Sequence, residues 1–285
     1  MKPVLTFLLD AAVRAPSGDN TQPWRFQVDE DASCISFLLD EARDPSPMNA
    51  GQRMARIAVG AALENVIHTA TAKGWQVELA APSPPALAAV RVVCANQVTS
   101  EVDPTVAARL TNRRPYDCQP VPPAVLQRLM AKTPPMDGVD THWIVDRQRL
   151  AVLACLIGRA DGLMFGERHM RHAFLRNIRF DAPPAAEVEE GLSLASLELP
   201  SKSIFALRML RWLPGWVLRS FGGLRAFASN AQRLVDSASG LCMITAPDDR
   251  CSTDLTVGRA MARAWLSLTT EGMSAQPMMS LVVLD

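Results

Sequence analysis

Along the first residues, Leu5, Leu8, Leu9, Ala12 and Val13 fall on one face at helical spacing, which predicts an amphipathic helix. It delivers the chain to Ala15-Pro16-Ser17-Gly18-Asp19-Asn20-Thr21-Gln22-Pro23-Trp24, where prolines bracket small, hydrogen-bonding residues. That composition predicts a turn rich in free N–H groups, either an ordinary helix-to-strand connection or a grip for a polar ligand. Residues 24–28 then alternate apolar and polar side chains and predict a half-buried strand, with a second strand over 34–39 joined to it as a hairpin. Met54, Ile57, Ala58, Ala61, Ala62, Asn65 and Val66 recur at steps of three and four, predicting a long helix that stops at Gly74. Strands are predicted at 75–79 and 88–94, around the proline-rich turn at 82–85.

The pattern repeats. Val257-Gly258-Arg259-Ala260-Met261 through Glu271-Gly272-Met273 mirrors Val59-Gly60-Ala61-Ala62-Leu63 through Lys73-Gly74-Trp75, and a strand-like run, 241–246 or 34–39, precedes each. Thr141-His142-Trp143-Ile144-Val145-Asp146 likewise reads as a worn copy of Gln22 to Asp29. These pairings predict a divergent duplication, with halves at 1–98 and 99–285 and the second enlarged by an insertion or lid at about 160–225. Chance likeness of two Ala/Gly-rich helices is the alternative.

Composition narrows the function classes. The 285 residues are 48% hydrophobic and 20% charged, enough to bury a large core, and the formal net charge is zero. A neutral chain lacks the electrostatic attraction that draws proteins to nucleic acid or anionic membranes, so neither partner is expected. The apolar run at the N-terminus is stopped early by Asp10, and no uncharged stretch reaches the 18 or so residues of a membrane span. A cytoplasmic protein is expected. Cys34, Cys94, Cys118, Cys155, Cys242 and Cys251 form no Cys-x-x-Cys pair, which suits reduced thiols and gives no zinc site. His169 and His172, with Arg168 and Arg171, read as surface or lid-rim residues, and no metal site is expected.

Three further constellations carry candidate chemistry. In Arg109-Leu110-Thr111-Asn112-Arg113-Arg114-Pro115, arginines four apart would share one face of a helix ended by Pro115, where they could hold an anion with Thr111 beside them. A solvated basic turn is the other reading. Asn230 and Arg233 place an amide and a cation on one helical face, an arrangement common on exposed helices. Gly272-Met273-Ser274-Ala275-Gln276-Pro277-Met278-Met279-Ser280 forms a turn after the second long helix. No Ser-His-Asp, Cys-His or paired-carboxylate set stands out, so no catalytic side chain is assigned, and no Gly-x-Gly-x-x-Gly is present.

Taken in order, these pieces resemble the nitroreductase-like FMN-binding family. The resemblance implies an α+β fold with antiparallel or mixed sheets flanked by helices, and FMN as cofactor. It assigns Pro16, Ser17, Gly18 and Asn20 to one flavin wall; Arg109, Thr111 and Arg113 to the ribityl phosphate; Asn230 and Arg233 to the ring edge; and Pro277, Met278 and Met279 to a turn over the flavin. Met279 and Ser280 stand where the family usually has Glu-Gly, and family members usually extend beyond the turn with a further basic phosphate ligand. Family homodimers build each site from two subunits; here one chain supplies each piece once, which implies a fused, pseudo-dimeric monomer with one FMN, further dimerisation not excluded. The implied activity is transfer of hydride from NAD(P)H to a nitroaromatic, quinone-like or other small electrophilic acceptor. Storage or sequestration of FMN is the alternative, and loss of FMN a third reading. The apolar stretch from Ile204 to Leu218 reads as a helical hairpin completing the core, a lid over the flavin, or a membrane-surface helix.

Overall fold

The computed structural model describes residues 1–96, 102–181, 190–199, 201–210 and 223–283. The first helix, α1 (Lys2–Ala12), has proline in its first turn, where the missing N–H costs nothing, and buries Leu5, Leu8, Ala11 and Ala12. After the Pro16–Gln22 turn come β1 (Trp24–Asp29) and β2 (Cys34–Leu39), an antiparallel hairpin in register Trp24 to Leu39. With β3 (Gln76–Ala80) and β4 (Ala88–Cys94) they form an antiparallel sheet of order β1-β2-β4-β3. The expected strand at 75–79 is shifted by one residue because Trp75 leaves the ladder to pack edge-on against Phe7, ring centroids 5.5 Å apart.

Helix α2 (Arg53–Ala72) lies between this sheet and the rest of the molecule. It ends where Gly74 takes φ +68, a left-handed conformation that lets the Trp75 N–H reach back to the Ala70 carbonyl at 2.8 Å. The main core gathers Phe7, Leu8, Trp24, Ile35, Phe37, Val59, Val66 and Val90. Each large side chain buried there contributes about 1.5–3 kcal/mol.

The second half supplies α3 (Pro104–Ala108), α4 (Pro123–Lys132), β5 (Asp140–Ile144), α5 (Arg147–Gly166), α6 (Arg168–Arg176), β6 (Ile178–Arg179), β7 (Leu192–Ser193), α7 (Ser201–Leu210), α8 (Gly223–Ser237), β8 (Leu241–Thr245), α9 (Cys251–Thr270) and α10 (Ser280–Val283). Strands β5 and β8 pair antiparallel, β6 and β7 parallel. Helices plus antiparallel sheets make the chain α+β. No helix among the described residues is long and apolar enough to cross a membrane.

Helices α2 and α9 meet at their glycines. A Cβ on Gly60 would lie 2.1 Å from the Leu255 carbonyl oxygen, and one on Gly258 would lie 2.0 Å from that of Ile57, so each helix touches the other's backbone. The contact is reciprocal, since each carbonyl belongs to the residue three before the partner glycine. Two buried carboxylates flank it: Asp254 accepts from Arg53 Nε (3.2 Å) and Arg56 Nε (2.8 Å), and Glu64 from Arg259 Nε (3.0 Å) and Arg263 Nε (2.7 Å). With two arginines on each, neither negative charge is buried uncompensated.

A separate apolar cluster joins Leu175, Ile178, Leu192, Leu197, Leu207 and Leu210, binding α6, β6, β7, α7 and residues 190–199 into one unit. Of the apolar stretch at 204–218, Leu207 and Leu210 pack inward while Phe205 is 67% exposed; Trp212, Leu213, Pro214, Gly215, Trp216, Val217 and Leu218 lie outside the described residues. His169 and His172 are exposed as expected, but Arg171 is not a rim residue. It is buried, 1% exposed, because its Nη1 donates to the Phe165 and Gly166 carbonyls at 2.8 and 3.4 Å and so satisfies the end of α5.

Candidate functional site

The Pro16–Gln22 segment folds as a tight turn held by its own side chains. A short 3-10 turn spans Gly18–Asn20, and Asp19, Asn20 and Gln22 all take positive φ, a region Asp and Asn tolerate through local hydrogen bonding. Ser17 Oγ accepts from the Gln22 N–H at 3.0 Å, so this hydroxyl is committed to shaping the turn. Gly18 faces the Met54 Cε of α2.

Arg109 to Arg114 are not helical, contrary to the sequence expectation. Helix α3 ends at Ala108, Arg109 takes extended dihedrals, and Thr111 forms a parallel bridge with Ala275, with the Asn112 N–H on the Ala275 carbonyl at 3.0 Å. Pairing with the segment after α9 overrides the local preference, and Pro115 ends no helix. An extended backbone returns to the same side every second residue, so the Arg-x-Thr-x-Arg spacing still suits one-sided presentation. The Arg109 Nη2 donates to the Arg14 carbonyl at 3.0 Å, and its guanidinium lies 4.6 Å from the centre of the Trp265 ring. Its Nε and Nη1 are buried with no hydrogen-bond partner among the described residues, and burial pushes its pKa down to about 10. Gln276 Oε1 is another buried atom without a partner there.

The Pro277 turn continues from the Ala275 pairing, and Met278 packs against Ala154, Ile157, Ala231 and Val235 where α5 meets α8. Met279 is half-buried. The structure thus brings Pro16 to Asn20, Arg109 to Arg113, and Ala275 to Met279 into one neighbourhood through Arg14, Trp265 and Ala275. Asn230 and Arg233 are both exposed on α8, the helix whose Ala231 and Val235 meet Met278, and Arg233 donates to the Ser229 carbonyl and Asn230 Oδ1 at 3.3 and 3.5 Å.

Residues 190–199 cross this neighbourhood, and no sequence motif pointed to them. The Asn20 side chain donates to the Gly191 carbonyl and the Gly191 N–H to the Asn20 carbonyl, both at 3.2 Å. Gly191, at φ +86, has no room for a Cβ, which would lie 2.6 Å from the Asn177 carbonyl oxygen. Asn177 also donates to Asp19 Oδ2 at 3.0 Å, and Arg113 Nη1 donates to the Ser196 carbonyl at 3.0 Å. Asp19 keeps some exposed surface, yet desolvation of its carboxyl pushes the pKa up to about 6; the Asn177 bond opposes the rise, nearby Asp44 adds to it, and Arg113 opposes it. Burial also lowers the Arg113 pKa, against the pull of Glu198 and Asp19.

Two of the clefts among the described residues bear on the site. The larger, about 340 Å³, is lined by His172, Leu175, Arg176, Ile178 and Phe180, on either side of the Asn177 that holds Asp19. The smaller, about 160 Å³, is lined by Met48, Ala50, Arg53, Met54, Asp249, Val282 and Val283. Size alone does not decide between them. The smaller one borders the junction, since Met54 reaches Gly18 on one side and Val282 follows the Pro277 turn on the other, but it is below the roughly 300–1,000 Å³ of a typical cofactor pocket.

No protein-family model matches the chain. Three curated proteins of Mycobacterium tuberculosis are distantly similar to it. "Uncharacterized protein MT1398" is 24% identical over 97% of the chain, which spans 39% of that protein's length. "Putative NAD(P)H nitroreductase MT3217" and "Putative NAD(P)H nitroreductase Rv3131", from two strains, are each 25% identical over 95% of the chain, which spans 74% of each. At this distance, over nearly the whole chain, the similarity supports a nitroreductase-like relationship.

Proposed function

We propose that the chain is an FMN-dependent oxidoreductase, passing hydride from NAD(P)H to a nitroaromatic, quinone-like or other small electrophilic acceptor. The observation that carries the reading is the meeting of three sequence-distant pieces, Pro16 to Asn20, Arg109 to Arg113 and Ala275 to Met279, around the half-buried Arg109, whose buried Nε and Nη1 have no hydrogen-bond partner among the described residues. A distant likeness to a protein named for NAD(P)H nitroreduction, over 95% of the chain, agrees with it.

The residues fit the group. Arg109 Nε and Nη1 are desolvated donors of the kind that charge-assisted hydrogen bonds to a phosphate would satisfy, with the Thr111 hydroxyl nearby in sequence. The tight turn at Ser17 to Asn20 and the Pro277 to Met279 turn would orient the ring system, and Trp265 braces Arg109 from behind. FMN, when bound, would supply the hydride transfer; the chain's part is to bind, orient and exclude water. Asp19, with its pKa raised to about 6, holds a proton at its carboxyl in mildly acidic solution and releases it towards neutral pH.

The same reading includes a duplicated, pseudo-dimeric chain with halves at 1–98 and 99–285, working in the cytoplasm. Supporting it are the reciprocal Gly60 and Gly258 contacts between matching helices, and the antiparallel β5–β8 pair, which matches β1–β2 in the proposed repeat. The free cysteines suit a reducing compartment.

The test is reconstitution with FMN, an absorbance spectrum, and anaerobic addition of NADPH and then NADH. A flavin band that bleaches supports turnover. Arg113→Ala is expected to weaken FMN binding at least tenfold with unchanged circular dichroism; full flavin content in that variant refutes the site assignment. Sequestration of FMN is a second reading, favoured by residues 190–199, which are tied across the turn. A bound flavin that neither nucleotide bleaches would select it.

A further inference from the structure

Glu198 is set against the arginines by the packing around it. Its neighbour Leu197 is buried in the cluster formed by Leu175, Ile178, Leu192, Leu207 and Leu210, so the chain enters Glu198 from a fixed point. Glu198 itself has φ +51, a conformation disfavoured for a residue with a Cβ. From there its Oε1 lies 2.9 Å from Arg114 Nη2, and its Oε2 accepts from the Arg113 backbone N–H at 3.4 Å. One residue away, the Ser196 carbonyl takes the Arg113 Nη1, and at the other end of the segment Glu190 Oε1 pairs with Arg43 Nη1 at 3.0 Å. An oxyanion is thus already seated on two successive arginines, using backbone and guanidinium donors of the type a phosphate would use.

We propose that Glu198 is an intramolecular anion plug: its carboxylate occupies the Arg113–Arg114 donors and must be displaced before a phosphate-bearing ligand can engage them, so residues 190–199 set the affinity for that ligand. The proposal rests on the reading of this arginine segment as the FMN phosphate site. It gives residues 190–199 a chemical criterion for opening. A ligand carrying a phosphate dianion can replace the plug's charge, and one without a phosphate cannot.

The experiment titrates FMN, and separately riboflavin, into the full chain and into its Glu198→Gln variant, following quenching of flavin fluorescence. Gln keeps the side-chain shape and removes the charge. The expected result is FMN binding about tenfold tighter in the variant, equivalent to about 1.4 kcal/mol, with riboflavin affinity unchanged. Equal FMN affinity in the two proteins overturns the plug while leaving the flavin site standing. An equal gain for riboflavin also overturns it, since Glu198 would then act by bulk and not by charge. Quenching by neither flavin in either protein, with native circular dichroism, overturns the flavin reading and the plug with it.

Discussion

Replacing Gly258 by alanine tests the helix contact on which the two halves depend. In isolation the change favours folding, because alanine is about 1 kcal/mol better than glycine in a helix interior. Here the new methyl would lie 2.0 Å from the Ile57 carbonyl oxygen, 2.8 Å from its carbon and 3.0 Å from the Ala61 nitrogen. Real Cβ contacts closer than 3.0 Å are essentially never seen, so α2 and α9 must part by roughly 1 Å. The obstacle is helical backbone, which cannot turn aside as a flexible side chain could. Overpacking a core typically costs about 1–3 kcal/mol, and parting these helices also stretches the arginine bonds to Asp254 and Glu64, so a net loss of about 2–4 kcal/mol is expected. For a chain of this size that is a fall in Tm of roughly 5–15 °C, read by thermal denaturation followed by circular dichroism. Gly60→Ala, which meets the Leu255 carbonyl, should cost about as much, but the double variant should lose clearly less than the sum, because separation forced by one methyl makes room for the other. A Gly258→Ala chain as stable as the parent, or strict additivity in the double variant, would refute the close reciprocal contact.

Other consequences follow from buried charge. The Asp19 pKa is raised, so the folded chain holds a proton that the unfolded chain releases; the stabilisation is complete below about pH 4 and is lost as pH rises through about 6. Denaturant titrations across pH 4–7 should show this decline, about 1–2 kcal/mol after allowance for Asp19's partial exposure, and Asp19→Asn, which can still accept from Asn177, should abolish it; an unchanged slope in that variant would contradict the assignment. Arg171→Met should destabilise by about 2–4 kcal/mol by stranding the Phe165 and Gly166 carbonyls at the end of α5, and a Tm within about 1 °C of the parent would show that they find other partners.

Local periodicity was enough for the sequence to determine α1, α2, α9, β1, β2 and β4, since each buries one regular face against a core. Gly74 was readable as a stop because only a residue tolerant of positive φ ends a helix in that way. Helix α5 is not legible in the periodicity: it keeps Val152, Leu156 and Leu163 exposed while burying Leu150, Ala154 and Ile157, so its apolar positions trace no single stripe. The motif pieces were legible as short strings, but their geometry was not. Arg109 and Arg113 share a helical spacing that the pairing of Thr111 with Ala275, more than 160 positions away, converts into extended chain. The burial of Arg171, the shifted carboxyl of Asp19 and the seat of Glu198 on Arg113 and Arg114 all depend on groups brought from distant segments. Periodicity reports which face a segment turns inward; only the folded chain decides which desolvated charges then meet, because their energies depend on distance and surroundings and not on order along the sequence.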